Sequence, residues 1–419
     1  MTLNFRQHTL DHCEPQMEVP FSIAEYRGRL ERVRARMAED GVDLLWVQAP
    51  EGQCYLSGYQ AEWYMAQSPM KWPPCSGIAV HVDHDHFIHF DTVGEIVMSR
   101  YATISTDTRI FPASDPIKRR DGIAFIMDEL KASGWLKSGT RVGQELWSYR
   151  PNPAVSQRFR EAFEGAGATV GDASLILREV RGKKSPAEIA CIERAGAIAD
   201  VGLRAVRDSL YAGATELEIY GEMIRAMAAA GGENAGITIP VLSGPKSNCG
   251  HALASRKAIL PGENVNVDLC GVFNRYHANM ARSFWMGTPP DHIAAFYEKV
   301  AGIFDVIRPI LRTGMPVAEL NRTAQEYFRE HDLWDNGAWL GGYEMGIAFP
   351  PDWVGHYYFE YADLETADVF EAGTAVNFEA VFYMPDMAGI THLIDTIVFK
   401  EDSAVLLSRE PYGLSTIAL

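Results

Sequence analysis

Two segments far apart in the chain, GENVNVD (Gly262 to Asp268) and GTAVNFE (Gly373 to Glu379), share the pattern G-x-x-V-N-x-acid. Alternation along the first puts Val265, Val267 and Leu269 on one face of a strand and Asn266, Asp268 and Cys270 on the other. In the second, Asn377 and Glu379 share a face. The repeat predicts a duplicated strand that brings one acid from each copy, Asp268 and Glu379, to a common place.

The rest of the chain must supply a scaffold around that pair. At 419 residues it is long for one core, so two domains are expected. After a polar arm, SIAEYRGRLERVRARMAEDG opens with Ser22 and Glu25 as a capping box and carries apolar residues at helical spacing as far as Gly41. VDLLWVQ, SGIAVHV and HDHFIHFD read as strands, and GIAFIMDELKASG as a helix, which makes the first part an α/β domain with a mixed sheet. The basic connector REVRGKK then precedes a long helix signalled by Ser185, Pro186 and Glu188. We divide the chain into residues 1–178 and 179–419. Further helices are expected at TELEIYGEMIRAMAAAGG, PPDHIAAFYEKVAGIFDVI and PVAELNRTAQEYFREHD, and strands at 264–270, 279–286, 375–383 and 392–399.

A formal net charge of -17 disfavours nucleic acid or an anionic membrane as partner, because either would be repelled over most of the surface. A small-molecule substrate is the expected ligand. The N-terminus has no basic start followed by an apolar run, and no stretch of some 18 apolar residues suggests a membrane span, so a cytoplasmic location is expected. The six cysteines form no C-x-x-C pair and read as reduced thiols.

The paired strands, together with SGPKSNCGHALASRKAILPGE, GVFNRYHANMARSFWMG and GYEMGIAFPPDW, resemble the pita-bread superfamily of creatinase, aminopeptidase P, prolidase and methionine aminopeptidase. The resemblance implies an α/β N-terminal domain followed by an α+β pita-bread catalytic domain. In metal-using members two aspartates, a histidine and two glutamates hold two divalent cations. Here Asp268 and Glu379 keep two of those five positions, while Asn279, Tyr343 and Ile394 stand at the others. Hard divalent cations need several anionic oxygens or imidazoles to offset dehydration, so the di-metal site is expected to be absent, leaving at most a single ion among Asp268, Glu379 and His251. No cofactor is expected.

The similarity is strongest to the metal-independent branch, with creatinase-like and ectoine hydrolase-like motifs. The creatinase-like segment NCGHALASRK places a catalytic histidine at His251. The departures are Ala281 and Ile394, where creatinase has further catalytic residues, and a loop after Gly346 without arginine. The implied activity is hydrolysis of a non-peptide C–N bond, an amidine or amide. Asp268 or Glu379 would attack directly or through water, and His251 would shuttle the proton. Substrate contacts are expected from Tyr343, Asn279, His277, His392, Trp63, Tyr64 and Trp353, and Arg282 is expected to tie down Asp268 or a neighbouring strand. Creatinase-like enzymes are homodimers, so the EWYMAQSPMKW loop is expected to reach the partner's cleft. The alternatives are a lyase acting on dimethylsulfoniopropionate-type substrates and a metal-dependent Xaa-Pro peptidase.

Overall fold

The computed structural model describes residues 17–60, 76–92, 94–111 and 122–419. Trp63 and Tyr64 lie outside the described residues. The chain divides into two compact units, Met1–Arg181 and Gly182–Leu419.

In the first unit, β1 (Leu44–Val47), β2 (Gly77–His81), β3 (Phe87–Thr92), β4 (Thr108–Phe111), β5 (Arg141–Gln144) and β6 (Thr169–Asp172) form one sheet in the order β4-β3-β2-β1-β5-β6. It is mixed: β1 runs antiparallel to β2 but parallel to β5. Trp46 anchors its core, meeting Phe90 edge-on and Phe159 at 5.1 Å between ring centroids. Helix α1 (Ile23–Asp40) starts where expected, with Ser22 Oγ accepting the Glu25 N–H, and stops at Gly41 in the left-handed conformation. The Glu25 carboxylate pairs with Arg29 one turn on.

The second unit is built on a nine-stranded sheet. Its order is β12-β11-β14-β15-β9-β8-β7, with β16 added to β15 and β17 to β9. The strands are β7 (Val241–Ser243), β8 (Asn264–Phe273), β9 (Tyr276–Met286), β11 (Gly337–Tyr343), β12 (Tyr358–Glu360), β14 (Ala375–Tyr383), β15 (Ile390–Phe399), β16 (Ala404–Leu406) and β17 (Ser415–Ile417). A separate ribbon pairs β10 (Met315–Pro316) with β13 (Val369–Phe370). The repeated motif therefore opens two antiparallel hairpins, β8–β9 and β14–β15. They join where Ile394 of β15 meets Ala281 of β9.

Helix α2 (Pro186–Ser209) begins with the full capping box, Ser185 and Glu188 each bonding the other's backbone. It lies against β8 at Gly271, where an added Cβ would sit 1.9 Å from the Ala195 carbonyl oxygen. Helix α3 (Glu216–Ala229) follows. The stretch read as one helix from Asp291 to Ile307 is two, α4 (Asp291–Ala301) and α5 (Ile303–Ile307). They meet at Gly302, where the hydroxyl of Tyr327, on α6 (Val317–Glu330), leaves no room for a side chain. No helix among the described residues is long and apolar enough to cross a membrane.

Because β8 carries Asp268 three residues before Gly271, the close helix contact also sets the strand that holds the acid. We expect Gly271→Ala to push α2 off the sheet and to lower stability by on the order of 3 kcal/mol, measured as a shift of the urea unfolding midpoint.

Candidate active site

Glu379, Ile394, Ala281 and Asp268 form one row across β14, β15, β9 and β8, each in register with the next. In-register residues point to the same face, so an isoleucine and an alanine floor the space between the two acids. The acids line a cavity of about 770 Å³, together with Tyr343, His251, His392 and Trp353.

A chain of amides connects the acids. Asn279 Nδ2 donates to Asp268 Oδ1 at 2.7 Å and to the Leu269 carbonyl at 3.2 Å. Its Oδ1 accepts from Asn377 Nδ2 at 2.9 Å and from the Tyr343 hydroxyl at 3.4 Å. Asn377 Nδ2 also donates to Glu379 Oε1 at 2.7 Å, while Asn377 Oδ1 accepts the Tyr343 backbone N–H at 2.7 Å. Backbone groups fix the orientation of both amides. A carbonyl, Leu269, demands the NH₂ of Asn279, and an N–H, Tyr343, demands the oxygen of Asn377. Each acid therefore faces an N–H.

This arrangement decides whether a cation pair fits. At the five positions where the resemblance implies metal ligands, Asn279 is buried and turns donor hydrogens toward Asp268, Tyr343 offers a phenol and Ile394 offers nothing. Among the described residues no group of three or more histidine, cysteine, aspartate or glutamate side chains is placed to hold a metal ion. The donor set does not suit two hard cations.

Burial, and then the negative charge of Asp268, push the Glu379 carboxyl up to about 8. The hydrogen bonds from Asn377 and Tyr343 favour the ionised form but do not overcome those two effects. At neutral pH Glu379 holds a proton beside the charge of Asp268. Burial and the neighbouring acids raise the Tyr343 phenol well above its ordinary value, so it stays protonated. Trp353 Nε1 donates to its oxygen at 3.0 Å, so the phenol acts as a donor, here to Asn279 Oδ1.

The histidines sort differently from the sequence reading. Among the described residues, the imidazole within ion-pair range of Asp268 or Glu379 is that of His392, its Nε2 3.9 Å from Asp268 Oδ2. Its Nδ1 has no partner, and burial lowers its pKa, so it is a neutral base. His251 is exposed on the cavity wall. His277, expected to touch substrate, does not line the cavity. Its Nε2 accepts the Gly236 N–H at 2.9 Å, its Nδ1 bonds the Arg275 carbonyl at 2.8 Å, and burial with Arg275 drives it down to about 3. It is a neutral strut behind Gly236, which does line the cavity. Asn279 is likewise no substrate contact, since both its amide hydrogens and its oxygen are committed inside the protein. Arg282 ties down β15 and the C-terminal segment through the carbonyls of Ile394, Pro411 and Glu410, and does not hold Asp268.

Two braces hold the loops in place. The buried Glu216 carboxylate accepts from Ser243, Lys246 and Ser255, so the segment carrying His251 is clamped near both ends. Lys184 pairs with Glu344, whose other oxygen accepts the His356 and Tyr357 N–H groups and fixes the chain next to Tyr343. Asn377 was missed as a functional residue. Its signal was present in the repeat, where an asparagine precedes the acid by two positions in both copies. The first copy uses it otherwise: Asn266 bonds Ser283 and the carbonyls of Ser247 and Ile390.

Comparison with known proteins agrees with this architecture. The profile of metallopeptidase family M24 matches residues 190–401, and that of the creatinase/prolidase N-terminal domain matches residues 29–182. An ectoine hydrolase from Halomonas elongata is 25% identical over 418 residues, covering 95% of this chain and 99% of its own. A Xaa-Pro dipeptidase from Pyrococcus furiosus is 26% identical over 236 residues, covering 56% of this chain and 65% of its own. Among solved structures, the Xaa-Pro dipeptidase from Bacillus anthracis superposes with a TM-score of 0.75 at 18% identity, over 94% of this chain and 100% of its own. With its first unit built as a creatinase/prolidase N-terminal domain and its second as a pita-bread domain, the chain belongs to metallopeptidase family M24.

Proposed function

We propose that this chain is a metal-independent hydrolase of a non-peptide C–N bond, an amidine or amide, in a small nitrogenous molecule. The observation that carries this reading is the pair of asparagine amides, pinned by backbone, whose N–H groups face Asp268 and Glu379. Similarity to an ectoine hydrolase along nearly the whole chain supports it.

The chemistry follows from unlike protonation of the two acids. Asp268 takes a proton from a water molecule as its oxygen attacks the amidine or amide carbon, with the neutral His392 imidazole beside it to receive that proton. Glu379 gives its proton to the leaving nitrogen, and the C–N bond breaks to release an amine. Tyr343 donates to the heteroatom that gathers negative charge. For the next cycle His392 releases its proton to bulk water, and His251, at the solvent side of the cavity, returns one from bulk water to Glu379. Asn279 and Asn377 hold the two carboxyl groups in their relative orientation throughout.

The Xaa-Pro dipeptidase among the relatives supports a second reading, peptide cleavage with bound cations. The two readings separate on one assay. After exhaustive chelation, turnover of amidine and amide substrates is expected to stay within twofold of the untreated enzyme. A requirement for added manganese, cobalt or zinc, with Xaa-Pro peptides as substrates, would transfer the assignment to the peptidase.

Asp268→Asn and Glu379→Gln each remove one proton-transfer group and are expected to lower kcat by about 100-fold or more, in steady-state assays on folded protein. The protonated form of Glu379 is the active one and its pKa is raised to about 8, so activity is present below that value and falls as pH rises through it. A pH profile of kcat/KM flat beyond pH 9 would remove Glu379 from the role of acid.

A further inference from the structure

We propose that the substrate carries an extended apolar arm beside the bond it presents to the acids, and no carboxylate next to that bond, the arm lying along β14 over Val381 and Tyr383. The inference rests on the C–N hydrolase reading and adds the class of molecule to it.

Positions 377, 379, 381 and 383 share one face of β14. Polarity changes along that line. Asn377 and Glu379 are buried at one end, Val381 follows, and Tyr383 is 50% exposed at the other. Trp339 of β11 is paired with Val381, and Ile390 of β15 with Tyr383, so apolar side chains flank the line on both sides. All four line the same cavity as the acids. From Glu379 to Tyr383 is four residues, a run of about 13 Å at ~3.3 Å per residue.

A compact solute held between Asp268 and Glu379 would leave this track and most of the 770 Å³ to water. A linear or aryl substituent of about five to nine atoms would cover it, and releasing water from Trp339 and Tyr383 favours that outcome. Charge points the same way. The acids at the floor are Asp268 and Glu379, burial keeps His392 neutral, and among the described residues no lysine or arginine lines the cavity. A carboxylate next to the scissile bond would meet like charge with no cation to offset it, whereas an amidinium gains charge-assisted hydrogen bonds.

Equilibrium titration of the full-length protein with acetamidine, hexanamidine and guanidinoacetate tests this without turnover, so it reads separately from the need for a metal. Hexanamidine is expected to bind at least tenfold tighter than acetamidine, and guanidinoacetate weakest of the three. Trp339→Ala and Tyr383→Ala, both at partly exposed positions, are expected to weaken hexanamidine about tenfold and acetamidine less than twofold. Equal affinity for the two amidines would overturn the proposal, as would tightest binding of guanidinoacetate. So would a Trp339→Ala variant that binds hexanamidine normally but changes sedimentation, because the apolar track would then serve contact with a second copy.

Discussion

The site depends on one hydrogen-bonded chain, Asp268 to Asn279 to Asn377 to Glu379. In a flat sheet, three strand spacings of roughly 4.8 Å would keep the acids' backbones about 14 Å apart, too far for direct contact. The asparagine side chains span that interval. Because a carbonyl and an N–H of the backbone orient them, neither amide can turn its oxygen toward an acid without losing a buried bond, at a cost on the order of 1–3 kcal/mol. A rigid pair of donors thus links the two acids.

That chain in turn requires the two hairpins to meet in a fixed register. Ala281 and Ile394 form the junction, and Asn279 sits two residues from it. A backbone bond from Asn279 to Thr396 Oγ1, returned from that hydroxyl to the Asn279 carbonyl, locks β9 to β15 at this point. Helix α2 presses on β8 from behind, and the Glu216 and Lys184 braces fix the segments that add His251 and Tyr343. The face that carries both acids is therefore held from its strands, its covering helix and its loops, which keeps the two carboxyl groups in fixed positions.

The duplicated strand was legible because a side-chain period of two and a shared glycine leave little freedom in which face an acid takes. The residue types at the positions where the resemblance implies ligands, Asn279, Tyr343 and Ile394, were legible directly from the letters. The histidines were not. His251, His277 and His392 look alike as letters, and their roles depend on what lies within 3 to 4 Å. His277 is tied to the Gly236 and Arg275 backbone, His392 stands near Asp268, and His251 faces solvent. Nor did the break at Gly302 show in a continuous helical pattern, where the hydroxyl of Tyr327 from another helix packs against the glycine.

By itself the sequence determined that two acids would share a sheet face, that a new long helix would start at Ser185 and Pro186, and which residue types would stand at the positions where the resemblance implies ligands. These follow from local periodicity, capping and side-chain chemistry. Only the tertiary structure decided that Asn377 links the acids, that Asn279 turns inward, and that His392 is the imidazole near Asp268. Hydrogen bonds between distant strands made those choices, and no local pattern encodes the distance between side chains that the chain separates by a hundred residues.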